Sequence, residues 1–312
     1  MMARPLNGEG SRKGMALILA ITVVALLTIT VLDFFHHAWI QSALAAGYRD
    51  ETRAFYAARA GQAAGRLILL EDAKSSIPRD SLAAEWAQGL ITVPMDGELV
   101  SVTIQDESGK LDLNRLVTDR GYPDDRWIAL FVRLLGRLDL DDDLADALVD
   151  WMDVNPDTRM KGAEDGYYLS LKKPYRAKNM RLDSVSELAM IKGFTPEIIA
   201  KLRPHVTAWS SGKININTAT GVVLMALDDN ITEEIASAII RERTQKPFIV
   251  REDIKKVTGM NDIYPRIALV IDIKSDVFSV ESQATFGETT KMIRAVHRRS
   301  PVGVETLYHR LF

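Results

Sequence analysis

Met15 to Leu32, MALILAITVVALLTITVL, is a run of eighteen residues without a formal charge, and a short basic leader ending in Arg12-Lys13-Gly14 precedes it. It is apolar on every face rather than on one stripe. A bilayer core about 30 Å thick takes roughly 20 residues of helix at about 1.5 Å each, which puts the run near the minimum length for a span. A cleaved secretory signal would place a small-x-small site just after its apolar part. Here the run passes instead into Asp33-Phe34-Phe35-His36-His37-Ala38-Trp39, and Ala43-Leu44-Ala45-Ala46 comes late, with no turn former between. The segment therefore reads as a retained single span. Arg4, Arg12 and Lys13 lie before it, so the positive-inside rule puts the leader in the cytoplasm and the bulk of the chain outside.

Lys13-Gly14-Met15-Ala16-Leu17 followed by a thinly polar apolar helix resembles the type IV prepilin signal. The resemblance implies that prepilin peptidase cuts between Gly14 and Met15 on the cytoplasmic side, that the apolar helix stays, and that N-methylation falls on Met15. The chain departs from the family at one place: Leu19 stands fifth after the cut, where most such proteins carry a glutamate. A glutamate in hydrocarbon is costly unless paired, and in that family it neutralises the terminal amine of a neighbouring subunit. A leucine needs no such neighbour, as expected at the tip of a filament.

The 312 residues suggest two folded units besides the helix. Apolar content of 47% and charged content of 26% are those of a globular protein with real cores. A net charge of −3 points to neither a nucleic-acid magnet nor an acidic tail. The chain has no cysteine, which for a chain placed outside the cytoplasm leaves packing or metal as the staple.

Residues 35–74 are rich in alanine and free of proline, so the simplest expectation is one continuous helix over 15–74, about 90 Å long, amphipathic beyond the membrane. Residues 75–97, with Pro78, Pro94 and Gly97 around a short helical piece at 82–88, read as a connector. Residues 98–106 alternate as a strand, and Ser108-Gly109 turns into a second short strand at 110–114, a hairpin packed on the long helix. Helical periodicity then holds over 126–137, 143–153, 184–192, 196–206, 219–226, 233–245, 251–258 and 263–268. Capping signals open several of these: Ser184 with Glu187, Thr195 with Pro196, and Thr232 with Glu233-Glu234. Alternation returns over 269–273, 278–286 and 289–298, with Gly287-Glu288 as a turn. The helical block is therefore best read as an insertion in an α/β head whose later strands complete the sheet.

The densest polar cluster is Asp150-Trp151-Met152-Asp153-Val154-Asn155-Pro156-Asp157, followed by Gly162-Ala163-Glu164-Asp165-Gly166-Tyr167-Tyr168. Oxygen ligands at alternate positions Asp153, Asn155 and Asp157, with Glu164 twelfth, suit a hard cation such as calcium. It is not an EF-hand: Thr158 stands where the sharp turn needs glycine, and Arg159 and Lys161 put positive charge in the loop. A calcium loop of another kind, completed by carbonyls near Gly162 and Ala163, and a solvated acidic loop are the two readings. Two further stretches, 188–206 and 214–241, resemble helix-hairpin-helix units of DNA-binding proteins, whose glycine-rich turns approach phosphate. The second turn is Asp228-Asp229-Asn230, and residues 116–268 carry 22 Lys+Arg against 24 Asp+Glu. That balance lacks the basic surplus of a phosphate-binding face, so the hairpins read as packing modules and no nucleic acid is expected. The five histidines are scattered, and no nucleophile elbow, phosphate loop or dinucleotide fingerprint occurs, so the chain does not read as an enzyme.

The prepilin-like signal with Leu19, the helical insertion, Asp150 to Asp153, Gly162 to Tyr168 and Asn215-Ile216-Asn217-Thr218-Ala219 together resemble the minor pseudopilin K family of the type II secretion system (general secretion pathway protein K). The resemblance implies an α+β fold: a long N-terminal transmembrane and amphipathic helix, a pseudopilin head with an antiparallel sheet, and a large inserted all-α domain of helix-hairpin-helix-like (SAM-like) units. The expected bounds are leader 1–14, transmembrane helix 15–34, helix and first strands 35–115, insertion 116–268, and closing strands 269–312. It also implies a tip complex with pseudopilins I and J, an inner-membrane anchor with the bulk in the periplasm, and structural calcium. The ion is placed on Asp153, Asn155, Asp157, Glu164 and Asp165, with Asp150 and Asn179 as further candidates. The runner-up is a membrane-tethered helix-hairpin-helix protein that captures DNA.

Overall fold

The computed structural model describes residues 9–74, 79–95 and 98–312, with side chains from residue 14 onward. Arg4, the side chains of Arg12 and Lys13, and Pro78 and Gly97 of the connector lie outside this description. One helix, α1 (Glu9–Ala73), runs unbroken for 65 residues. No proline interrupts it, and alanine supplies helix propensity throughout its second half. It is long and apolar enough near its N-terminus to cross a membrane, and the apolar part packs against nothing in the chain. From Ala54 onward one stripe is buried: Ala54, Ala57, Ala58, Gly61, Gln62, Gly65 and Leu69. The spacing of three and four is that of a single helical face.

This stripe lies on a five-stranded antiparallel sheet. Its strands are β1 (Leu90–Met95) and β2 (Glu98–Asp106), and, much later in the chain, β7 (Val277–Phe286), β8 (Thr289–Ser300) and β9 (Gly303–Leu311), in the order β1-β2-β7-β8-β9. Inward residues Val100, Val102, Ile104, Phe278, Val280 and Ile293 meet the helix, and Trp86 of the connector closes the core edge-on to Phe278, ring centres 5.0 Å apart. Glycine is required in α1 because the helix rides directly on the strands. A Cβ on Gly61 would overlap Ser282 Oγ, and one on Gly65 would come within 2.5 Å of Val280 Cγ1. Buried Gln62 donates its amide to the carbonyls of Val280 (2.8 Å) and Ile293 (2.7 Å), tying the helix to two strands.

The sheet corrects two expectations. The hairpin partner of 98–106 is not 110–114 but β1, paired from Leu90↔Thr103 to Met95↔Glu98, inside the stretch read as a connector. Pro94 is compatible with a strand there because β1 is a sheet edge. Leu111–Asp112 (β3) pairs in parallel with Val206–Thr207 (β4), and Ile214–Asn215 (β5) with Ile271–Asp272 (β6), so 269–273 belongs to the insertion and not to the sheet. Measured from the sheet, the chain leaves at Asp106 and returns at Val277, wider at both ends than the expected 116 and 268.

The excursion is helical: α2 (Asp125–Arg137), α3 (Asp143–Met152), α4 (Asp165–Leu169), α5 (Pro196–Leu202), α6 (Gly221–Ala226), α7 (Glu233–Gln245) and α8 (Met260–Ile267). They share one apolar core that includes Phe131, Leu148, Tyr168, Leu202, Leu224 and Ile239. The hairpin turns use glycine where the backbone is left-handed, at Gly193 and Gly259, each with φ of 87°. The α+β class, with a long helix, an antiparallel sheet and a large helical insertion, is the one the sequence implied; the insertion departs from the expected all-α domain only in its two short parallel strand pairs.

Candidate metal centre and polar junction

Helix α3 places Asp150 in its last turn, and Asp153 follows as its C-cap. Both side chains lie under the loop that follows, Asp150 at 0% and Asp153 at 1% exposure, joined by Glu164 at 8% ahead of α4. Three buried carboxylates in one place repel one another and lack water. Burial, then repulsion from Asp150, Asp153 and Asp165, pushes the Glu164 carboxyl up to about 7. Burial lifts Asp150 to about 6 against relief from the Arg159 N–H, and raises Asp153 as well. Asp150 accepts from Arg159 N at 3.1 Å, and the loop passes so close that a Cβ on Gly162 would overlap Asp150 Oδ2. Two carboxylate oxygens, Asp153 Oδ1 and Glu164 Oε1, are buried without any hydrogen-bond partner.

The other expected ligands are arranged differently. Asn155 donates Nδ2 to Asp153 Oδ2 (2.8 Å) and accepts from Asp157 N (2.9 Å), while the Asp157 side chain is exposed. Both Asp165 oxygens are used, one by Arg176 (2.7 Å) and one by Ala177 N (2.9 Å). Asn179 is exposed, with φ of 50°, and bonds through its N–H to Trp151 O. The carbonyl of Gly162, expected to complete a cation shell, accepts from Lys192 Nζ at 2.9 Å, and Lys161 O from the same group at 3.2 Å. The structure thus gathers Asp150, Asp153 and Glu164 and leaves Asp157, Asp165 and Asn179 at the rim. Orphaned hard oxygens with excess negative charge fit a calcium-like cation. Among the described residues the acidic oxygens that converge within 4.8 Å as a trio are instead Asp141, Asp142 and Asp143. These sit at the start of α3, where carboxylates complement the helix dipole.

A second polar cluster was not anticipated. Asp106, the last residue of β2, accepts from Ser108 N (2.7 Å), Thr218 Oγ1 (2.5 Å) and Ser275 Oγ (2.6 Å). Asn215 Nδ2 donates to Ser275 Oγ (2.7 Å) and Asp80 O (3.2 Å), and Asp80 and Asp72 pair with Arg299. The Asn215–Thr218 motif, visible in the sequence, is therefore a joint between insertion and head. Its partners at 80, 106 and 275 had no local signal. In the second helical hairpin Arg266 holds Asp228 at 2.6 Å and pulls its carboxyl down to about 2, so that turn presents an ionised carboxylate where a phosphate would have to approach.

Comparison with known families gives matches to models described as "Type II secretion system (T2SS), protein K" over residues 109–211 and 214–272, together just over half of the chain. The chain belongs to the type II secretion system protein K family. Relatives of that name include one from Pseudomonas aeruginosa, 28% identical over 306 residues, covering 94% of this chain and 90% of the relative. Another, from Aeromonas hydrophila, is 25% identical over 324 residues and 96% of both chains. In fold the chain is similar to one in the crystal structure of the GspK-GspI-GspJ complex from enterotoxigenic Escherichia coli, with a TM-score of 0.74 and 23% identity. That similarity covers 85% of this chain and 98% of the other.

Proposed function

We propose that this protein caps the type II secretion pseudopilus as a minor pseudopilin, with a structural and assembly role in export across the outer membrane. The observation that carries this is the pairing of an unpacked apolar third of α1 with a head that bears a large helical insertion. A subunit within the filament shaft must leave room for neighbours above it, and an insertion of this bulk suits the end of a filament. The apolar third of α1 anchors the precursor in the inner membrane as a single span, with the head in the periplasm. Prepilin peptidase cuts between Gly14 and Met15, and Met15 is N-methylated. Leu19, which needs no amine partner above it, supports the tip position. The partners are pseudopilins I and J, in keeping with the complex that contains the chain of similar fold.

Calcium is the cofactor of this reading, held by Asp150, Asp153 and Glu164 with Asn155 beside them. It would neutralise the buried carboxylates and stiffen a domain that has no disulfide. Capture of DNA is not supported: the family is one of secretion, and the Asp228 turn is acidic. Co-expression of the three pseudopilins followed by native mass measurement tests the assembly. A 1:1:1 complex is expected, and a chain that stays alone overturns it. N-terminal analysis of membrane-purified protein is expected to begin at methylated Met15.

A further inference from the structure

The two edges of the sheet differ. β1 is interrupted by Pro94, whereas β9 runs nine residues without proline and has a neighbour on one side only. Phe312 and Met292 exchange N–H···O bonds of 2.8 and 3.2 Å, and bonded pairs recur at every second residue of an antiparallel ladder. With Arg310 opposite Arg294 and Tyr308 opposite Val296, residues 308 and 310 turn their backbone groups toward β8. His309 and Leu311 therefore turn their N–H and C=O groups outward.

The side chains alternate too. Tyr308, Arg310 and Phe312 line a groove of about 640 Å³ against the insertion, while Leu311 faces the opposite side beside Phe55, Tyr56 and Lys291. The groove has an apolar wall with Val185 and Ile199, and an aromatic floor where the Trp209 and Tyr308 rings lie 5.1 Å apart, tilted by 36°. Its charge is one-sided. Glu107, the one acidic side chain in its lining, is buried and held by Lys110 (2.9 Å) and Arg294 (3.6 Å). Arg310 lies over the Phe312 ring, and neither it nor Arg203 has a carboxylate partner among the described residues.

We propose that β9 is a docking edge for an extended segment of a protein partner, which adds as a further strand. Its carboxylates, on the groove face, meet Arg203, Arg294 and Arg310, and its apolar side chains, on the other face, meet Leu311 beside Phe55 and Tyr56. An open edge supplies main-chain hydrogen bonds regardless of sequence, and the pockets on its two faces supply selection. The unpaired guanidiniums select an acidic strand and oppose a basic one. This surface lies on the head, apart from the apolar span of α1.

The test uses the full chain in detergent and a fluorescein-labelled heptapeptide that alternates valine and glutamate, with a lysine-for-glutamate control, read by anisotropy. Saturable binding of the glutamate peptide is expected, with the lysine peptide at least about tenfold weaker. His309→Pro removes an outward N–H and keeps the ladder bonds of 308 and 310. It and the double variant Arg203→Glu/Arg310→Glu should each weaken the glutamate peptide about tenfold without moving the melting temperature. Absent binding, equal binding of both peptides, or binding indifferent to His309→Pro overturns the proposal. So does dimerisation abolished by His309→Pro without peptide binding, which would make a second copy the occupant. Should His309→Pro not fold, unchanged affinity in Arg203→Glu alone, an exposed position after α5, overturns it equally.

Discussion

Asp106→Asn isolates the charge at the joint between head and insertion. Burial pushes the Asp106 carboxyl from the usual 3.8 up to about 6, although Ser275, Thr218 and Ser108 N–H donors favour its ionised form and Asp80 adds a smaller push upward. The groups around it are Asp80, itself paired with Arg299, and the neutral donors of Asn215, Thr218 and Ser275. Because the folded value lies above the unfolded one, the stabilisation is complete below about pH 3.8 and is lost as pH rises through about 6. The difference corresponds to about 3 kcal/mol. Asp112 and Asp150 are raised in the same way and Asp228 is lowered, so the slope of the wild type alone is composite. The gap between wild type and Asp106→Asn cancels those contributions. Melting followed by near-ultraviolet circular dichroism at pH 4 and pH 7 should show that gap moving in favour of the variant by about 2 kcal/mol, or roughly 4 °C, as pH rises, the unfolded carboxyl being already partly ionised at pH 4. A gap that is constant within about 1 °C would refute the assignment of a buried, reluctantly ionised carboxylate to this joint.

Calcium in place of chelator should raise the melting temperature, by about 2.7 kcal/mol of stability at a hundredfold excess over Kd. Asp153→Ala should abolish that increment, and an unchanged increment removes Asp153 from the site. Asn215→Ala leaves Asp80 O and Ser275 Oγ without their donor and should cost about 2–4 kcal/mol in chemical denaturation; a cost below about 1 kcal/mol would contradict the joint. Gly61→Ala forces a Cβ into Ser282 Oγ and should cost about 1–3 kcal/mol, with faster amide exchange in β7 showing that the helix has lifted off the sheet.

What the sequence disclosed depended on how local each signal was. The long helix was legible because its determinants, alanine content and the absence of proline, are properties of the stretch itself. β7 and β8 were legible because inward and outward positions alternate and Gly287, with φ of 57°, marks the turn between them. β1 was hidden by Pro94, a breaker in most settings that a sheet edge tolerates. β9 was hidden because much of it is exposed and one residue is bulged past the Val296/His297 step, which erases the period of two. Lys110 to Asn114 looks like half of a hairpin, yet its partner is Val206–Thr207, a parallel pairing that no local turn announces. At the acidic cluster, spacing brought out Asp153 and Glu164, but Lys192, which occupies the Gly162 carbonyl, arrives through the tertiary fold.

The joint explains why a motif resembling a DNA-binding hairpin can persist without a phosphate to bind. An apolar seam between head and insertion would be non-directional and would allow the two to slide at small cost. A seam of Asp106, Asn215, Thr218 and Ser275 is directional, since its shortest contacts are hydrogen bonds of 2.5–2.7 Å between fixed donors and acceptors. Any rotation of the insertion breaks several of these bonds together and strands a buried carboxylate, which is far more costly than losing one contact. The strand ends at Asp106 and Val277 are the two covalent links between the units, so two flexible crossings alone would make a hinge. Asn215 bonds to both sides of that hinge, through Ser108 O near the exit and Ser275 Oγ near the return. The asparagine therefore converts a two-stranded hinge into a fixed angle, and the burial cost of Asp106 is what the fold bears for holding it.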